Sequence, residues 1–318
     1  MKKRLLTVLM ILMLLITIMP MQAFAEKPEA EAGLKYLNIG DSIAAGLSAL
    51  PSDYFAQYAG YLGEEILYRA YNGPFMPPNL PVPWTDGAMN LGFPGLDSME
   101  LLTALTYDPA MQYFISEADV ITISIGGNNL LTPVIEATFA LYPEFYLFPG
   151  DTFEDQLMAA IITGGEGVWN LKLESFVVSA LSSEPETLGY LLEARTAQFL
   201  EDWPAILDKI EDLNQDAQII AMALYNPIEK NDNEALFLRY EDLVRPMNMA
   251  MRMTQNRAAL ANVANAFRKE PDAVAFRLTW VDAGMMMPPV LIDPHPTTLG
   301  HQLIFEELMK GRNPRSFK

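Results

Sequence analysis

Cysteine is absent from this chain of 318 residues. The fold therefore holds no disulfide, and there is no residue for lipoprotein-type attachment. Packing and hydrogen bonds alone must hold it together. Histidine is almost as scarce, with only His295 and His301. Any chemistry that needs an imidazole base must use one of these two. No cluster of His, Cys and Asp has metal-ligand spacing. Positive charge is also short: 21 Lys and Arg stand against 40 Asp and Glu, for a net charge of -19. That balance argues against nucleic acid as a partner, because such affinity comes largely from bases neutralising phosphates. It equally argues against adsorption to an anionic membrane surface. The acids are scattered, as suits a solvated face. Beyond the first 25 residues no apolar run is long enough to span a bilayer.

What is present begins with a leader. Lys2, Lys3 and Arg4 form a basic start, Leu5 to Met19 is apolar, and Ala23-Phe24-Ala25 has the small residues of a signal-peptidase site. These are the three parts of a secretory signal, and the apolar run is short for a membrane anchor. Residues 1–25 are expected to be removed after Ala25. The mature chain would start near Glu26, be secreted or otherwise extracytoplasmic, and have no stable membrane span. Cleavage removes three bases and no acids, leaving 18 against 40 and a net charge near -22. Residues 26–33 are polar and acidic and read as a disordered lead-in. With hydrophobic residues at 51%, residues 34–318 can build a substantial core as one large domain with an insertion.

That domain opens with Lys35 to Leu47, KYLNIGDSIAAGL. Tyr36, Leu37 and Ile39 suit a buried first strand, which stops at Gly40-Asp41-Ser42 before the small residues Ala44, Ala45 and Gly46. A strand ending this way leaves a serine hydroxyl at the carboxyl end of a sheet, where open α/β sheets bind ligands. Ser52 would cap a helix from Asp53, and Gly73 to Trp84 is a proline-rich loop. Gly87 to Leu91 reads as a second strand. It runs into Gly92-Phe93-Pro94-Gly95 and a helix from Asp97, with Glu100 completing a capping box. Asp119 to Ile125 is the clearest buried strand and ends at Gly126-Gly127-Asn128-Asn129.

From Leu130 to about Leu213 the apolar residues fall three and four apart, over Thr152 to Ile162, Val168 to Leu181 and Leu188 to Leu213. Gly164-Gly165 and Ser182 to Pro185 break the pattern, and Pro204 should start or kink a helix. Gln218 to Leu224 is a fourth strand, Glu234 to Arg268 a helical stretch broken at Pro246, and Val274 to Val281 a last strand ending at Asp282. Gly284 to Pro289 is an apolar loop, Asp293-Pro294-His295-Pro296 a turn, and Thr298 to Met309 a closing helix. Strands alternating with helices predict an α/β fold, a three-layer α/β/α sandwich on a parallel sheet of about five strands. Residues 130–213 exceed one crossover and are expected as a helical insertion or cap after the third strand.

Acyl transfer by a serine needs a hydroxyl, a base for its proton, and donors for the oxyanion. Four turns that follow strands lie on one rim of a parallel sheet, and they offer Ser42, Gly95, Asn128 and His295. Asp293 stands two residues before His295, close enough to fix the imidazole tautomer. His301, at the start of a helix, reads as a surface or capping residue. Asp41 reads as a residue that shapes its turn.

At these residues the chain resembles the SGNH hydrolases, also called GDSL-type lipases and esterases. GDSIAAG holds Ser42, NLGFPGLDS holds Gly95, ISIGGNNLL holds Asn128, and DPHPTTLGH holds His295. The resemblance runs from about Leu34 to Leu308, apart from the helical stretch after Asn129. It implies a flavodoxin-like sandwich and a carboxylic ester hydrolase. It implies Ser42 as nucleophile, His295 as base and Asp293 as its orienting acid. The backbone N–H groups of Ser42 and Gly95 and the Asn128 amide would form the oxyanion hole. No metal or organic cofactor is implied, and the partner would be a small-molecule or lipid ester. Two departures stand out. The family usually has Asp-x-x-His, one residue more than Asp293-Pro294-His295, which leaves Asp282 as a distant second candidate. Asn129 replaces the acid of Gly-x-Asn-Asp and is expected to be structural.

Three functions fit: an esterase or lipase, a carbohydrate O-deacetylase of the same fold, and a non-catalytic surface binding module. Met285-Met286-Met287 and the helical insertion would line an apolar acyl pocket in the first. A G-x-S-x-G elbow is the nearest rival enzyme pattern. However, that elbow follows several strands, whereas Ser42 follows the first.

Overall fold

The computed structural model describes residues 35–47, 88–148, 153–281, 290 and 293–311. The leader, the lead-in, the helix expected from Asp53, the proline-rich loop, Asp282 and the loop with its three methionines lie outside the described residues.

Five strands form the sheet: β1 (Tyr36–Gly40), β2 (Ala88–Gly92), β3 (Val120–Ser124), β4 (Gln218–Met222) and β5 (Ala258–Ala261). All neighbours are parallel, in the order β2-β1-β3-β4-β5. From β1 the chain steps one way to β2, and from β3 it steps the other way. The carboxyl ends of β1 and β3 therefore flank the switch point, where such sheets leave a crevice.

Alternate residues serve opposite faces, as the pleat requires. Leu37, Ile39, Ile121, Ile123 and Ile219 belong to one buried cluster. Tyr36, Val120, Ile220 and Met222 belong to the other. The first face is covered by α2 (Ser98–Tyr107), α3 (Pro109–Glu117), α4 (Gly127–Leu141), α5 (Phe153–Leu181), α6 (Leu188–Leu213) and α7 (Glu234–Met253). The second carries α1 (Ser42–Ala45), α8 (Val263–Phe267) and α9 (Thr298–Gly311). The layers are those of an α/β/α sandwich.

Local chemistry sets the helix ends. Asp97 and Glu100 make the expected capping box on α2. Asp108 caps α3, with Pro109 in the first turn, where a missing N–H costs nothing. Gly165 has φ 73 and ψ 175, and this one residue bends α5. Pro204 lies inside α6 and Pro246 inside α7, and neither ends its helix. The buried stripe Leu243, Val244, Met247 and Met251 holds α7 on the sheet through Pro246. Packing on that stripe outweighs the lost hydrogen bond.

The last strand is not where the alternation of Val274 to Val281 puts it. That segment makes only an isolated bridge, Val274 to Pro296. Its backbone is held by side chains instead: Thr279 N–H donates to Asp232 at 2.6 Å, and Trp169 Nε1 donates to the Leu278 carbonyl at 2.8 Å. β5 is Ala-Ala-Leu-Ala, which lies within the expected helical stretch. Alanine favours helix in isolation, but here small side chains let α9 approach. A Cβ on Gly311 at its end would lie 3.8 Å from Ala259 Cβ.

Candidate active site

The turn after β1 is built around residues that cannot be exchanged freely. Gly40 has φ 130, and a Cβ there would sit 1.8 Å from the Ser124 carbonyl oxygen. Asp41 N–H donates to that same carbonyl at 2.9 Å. The Asp41 carboxylate accepts from Ile43 N–H at 3.0 Å and from Ser124 Oγ at 2.8 Å, so it caps the single turn of α1. Ser42 opens that turn. Burial pushes the Asp41 carboxyl up to about 6, against the opposing pull of Ser124, the α1 backbone and His295.

Beneath this turn runs a polar ladder across three strands. Asn38 stands in register with Asn90 and with Thr122. Asn38 Nδ2 donates to the Ala44 carbonyl at 2.7 Å and to Asn90 Oδ1 at 2.9 Å. Asn90 Nδ2 donates to the same carbonyl at 3.0 Å, and Thr122 Oγ1 to Asn38 Oδ1 at 2.9 Å. The sheet thus grips α1 from below through satisfied polar groups, of which Asn38 and Thr122 are fully buried. The sequence signal for this was a polar residue in the middle of each apolar strand.

His295 reaches this turn from 253 positions away, with Nε2 2.8 Å from Ser42 Oγ. Its Nδ1 lies 2.5 Å from Asp293 Oδ1. That same carboxylate oxygen accepts the His295 backbone N–H at 2.9 Å. The shortened spacing is met by a carboxylate that folds back on its own turn. Burial opposes the Asp293 charge, but the contacts with His295 outweigh it and hold the carboxyl below its ordinary value.

Asn128 sits in the first turn of α4, where its Nδ2 donates to the Leu96 carbonyl at 2.9 Å. An amide carries two hydrogens, so a second remains for the crevice. Gly95, with φ 87, lies on the neighbouring exposed turn closed by Leu96 N–H to the Phe93 carbonyl at 3.2 Å. Asn129 is buried and binds Ser98 through N–H to Oδ1 at 3.1 Å and Nδ2 to Oγ at 2.8 Å. Ser98 Oγ in turn donates to Asp202 of α6 at 2.7 Å. The amide at 129, which also donates to the Arg195 carbonyl, ties the start of α2, α4 and α6 together. His301 is not at the surface: it is fully buried, with Nε2 3.0 Å from the Leu47 carbonyl, just beyond α1.

Ser42, Asn128 and His295 face one end of a cavity of about 390 Å³. Its other walls are almost wholly apolar: Leu131, Val134 and Phe139 of α4, Leu157, Trp169 and Phe176 of α5, Leu192 of α6, and Leu236 and Leu243 of α7. Arg239 also borders it, but its guanidinium is committed to the Ala180 and Gly189 carbonyls and to Glu193. Among the described residues no group of three or more His, Cys, Asp and Glu could hold a metal ion.

A hydroxyl, an imidazole and a carboxylate in line, with amide donors beside them, are the parts of acyl transfer. They sit at the switch point of a parallel sheet, where open α/β sheets bind ligands. The chain belongs to the GDSL-like lipase/acylhydrolase family, whose model matches residues 39–303. It is a carboxylic ester hydrolase of that family. The lipase Lip_vut3 from a goat rumen metagenome is similar in structure, with TM-score 0.50 and 18% identity over 89% of this chain and 99% of that one. So is a catalytic mutant of Axe2, an acetylxylan esterase from Geobacillus stearothermophilus, with TM-score 0.41 and 14% identity over 88% and 94%. The first likeness bears on the fold alone, and the second carries no argument. No curated protein matches the sequence.

Proposed function

We propose that the protein is an exported serine esterase for esters with an extended apolar acyl chain. The observation that carries this reading is the apolar cavity opening directly on Ser42 Oγ and His295. In the reaction Ser42 Oγ attacks the ester carbonyl carbon as its proton passes to His295 Nε2. The tetrahedral oxyanion accepts hydrogen bonds from the N–H groups of Ser42 and Gly95 and from the Asn128 amide. Collapse expels the alcohol, which takes the proton from His295. Water, activated by the same imidazole, then releases the carboxylic acid and restores Ser42. Asp293 keeps the Nδ1 hydrogen in place and stabilises the imidazolium.

The test is hydrolysis of p-nitrophenyl esters with acyl chains of roughly two to sixteen carbons, compared with Ser42→Ala and with the uncatalysed rate of each ester. Turnover that peaks at a medium or long chain and vanishes in the variant is the expected result. A maximum at the acetyl ester would instead favour an O-deacetylase, and undiminished turnover in the variant would remove Ser42 from the chemistry.

A further inference from the structure

The segment Asp293-Pro294-His295 is short for the work it does, and one buried phenol stands against it. Tyr225 lies three residues past the end of β4, and its hydroxyl donates to the Pro294 carbonyl at 2.6 Å. The Pro294 carbonyl and the His295 N–H belong to one planar peptide group. Asp293 Oδ1 holds the N–H side of that plane at 2.9 Å, and Tyr225 holds the oxygen side. With both ends taken, the plane cannot rotate, and the imidazole that grows from its far carbon is aimed.

Tyr225 is itself fixed on both flanks. The N–H and carbonyl of Leu224 pair with the Asn248 amide of α7, both at 2.8 Å. Asn226 Nδ2 donates to the Phe237 carbonyl at 3.1 Å. The Tyr225 ring lies 4.5 Å from that of Phe267, centroid to centroid. Burial keeps the phenol protonated, and so a donor, far into the alkaline range.

We infer that Tyr225 is a positioning residue for the Asp293–His295 pair. Its clamp on the Pro294 carbonyl lets an Asp-x-His segment, one residue short of the usual family spacing, present a working imidazole to Ser42. The inference rests on the proposed roles of Ser42, His295 and Asp293.

Tyr225→Phe removes one oxygen and keeps the ring packed. Two measurements on the whole protein decide the matter. The first is ester turnover: kcat should fall about ten- to a hundredfold, the scale on which misplaced reacting groups lose rate. KM should stay within about twofold, because the aromatic ring that Tyr225 presents to the cavity is kept. The second is the far-downfield proton resonance of the His295 Nδ1 hydrogen, assigned by its loss in Asp293→Asn. It should broaden or move upfield in Tyr225→Phe. Unchanged kcat with an unchanged resonance overturns the clamp, whatever happens to the melting temperature. A fall in melting temperature alone would mark Tyr225 as merely structural and would also overturn it. The resonance needs no turnover. If Ser42→Ala proved fully active, the serine mechanism would fail while the clamp would still be judged on the proton.

Discussion

Asp41 carries a charge in the wrong place for stability. Its carboxylate is buried against α1 and Ser124, and its folded value of about 6 lies above that of an exposed aspartate. The folded state therefore prefers the protonated form. The stability linked to that proton is fully present below about pH 4 and is lost as pH rises through about 6. Asp41→Asn keeps an oxygen for Ile43 and Ser124 and removes the charge. Its unfolding free energy should match the wild type near pH 4 and exceed it above pH 7, by at most about 3 kcal/mol at about 1.4 per unit, with the melting temperature rising accordingly. A difference between the two proteins that does not change with pH would refute the assignment. Ser42 and Asn128 could be picked out from the chain because each sits in a short motif after a strand, and Asp293 and His295 because they share one Pro-bounded turn, although the segment Val274 to Val281 before it makes only an isolated bridge. Tyr225 could not. Its partner is a backbone carbonyl 69 positions away, and no local pattern marks a residue by the carbonyl it will meet.

At the scale of elements, α4 would work as a ruler on the proposed acyl-chain reading. It starts at the reacting groups with Asn128 and continues along the cavity through Leu131, Val134 and Thr138. Each residue adds about 1.5 Å of axial rise, so a bulky side chain at successive positions should stop the acyl chain at successive depths. Leu131→Trp should cut turnover of all but the shortest esters, and Thr138→Trp should cut only the longest. Chain-length profiles of the two variants test this, and identical profiles would mean that the acyl chain lies elsewhere. The strands β1 to β4 could be read from runs of β-branched and apolar residues bounded by turns. β5 could not, since Ala258 to Ala261 has the composition of a helix and becomes a strand only because β4 offers an edge and α9 needs room. The reverse holds for Val274 to Val281, whose alternation marks residues that face the cavity on one side, such as Phe276 and Leu278, without a neighbouring strand.

At the scale of the whole molecule, the described residues form two hydrophobic clusters divided by a sheet, and a chain without cysteine has no disulfide between distant parts. The larger cluster borders the apolar cavity, and the smaller one holds α9, through Ile304 and Leu308. The alternation of strands and helices made this plan legible, because each strand shows one set of side chains to each cluster. The size of the first helical layer was legible only as an excess of helix after β3. Its use as a cavity wall depends on packing that periodicity does not encode. On the proposed export, the protein recovered outside the cell should begin at Glu26. N-terminal sequencing checks this, and recovery of Met1 at the mature end would refute cleavage.

Ser42 and His295 are 253 positions apart, and this gap also has a meaning in time. A ribosome adding roughly 5–20 residues per second needs about 13 to 50 s to travel from one to the other. For all of that interval the nascent chain carries its hydroxyl without a base. On the proposed roles of Ser42 and His295, an unfinished hydrolase cannot yet turn over esters, and activity waits until His295 has been made.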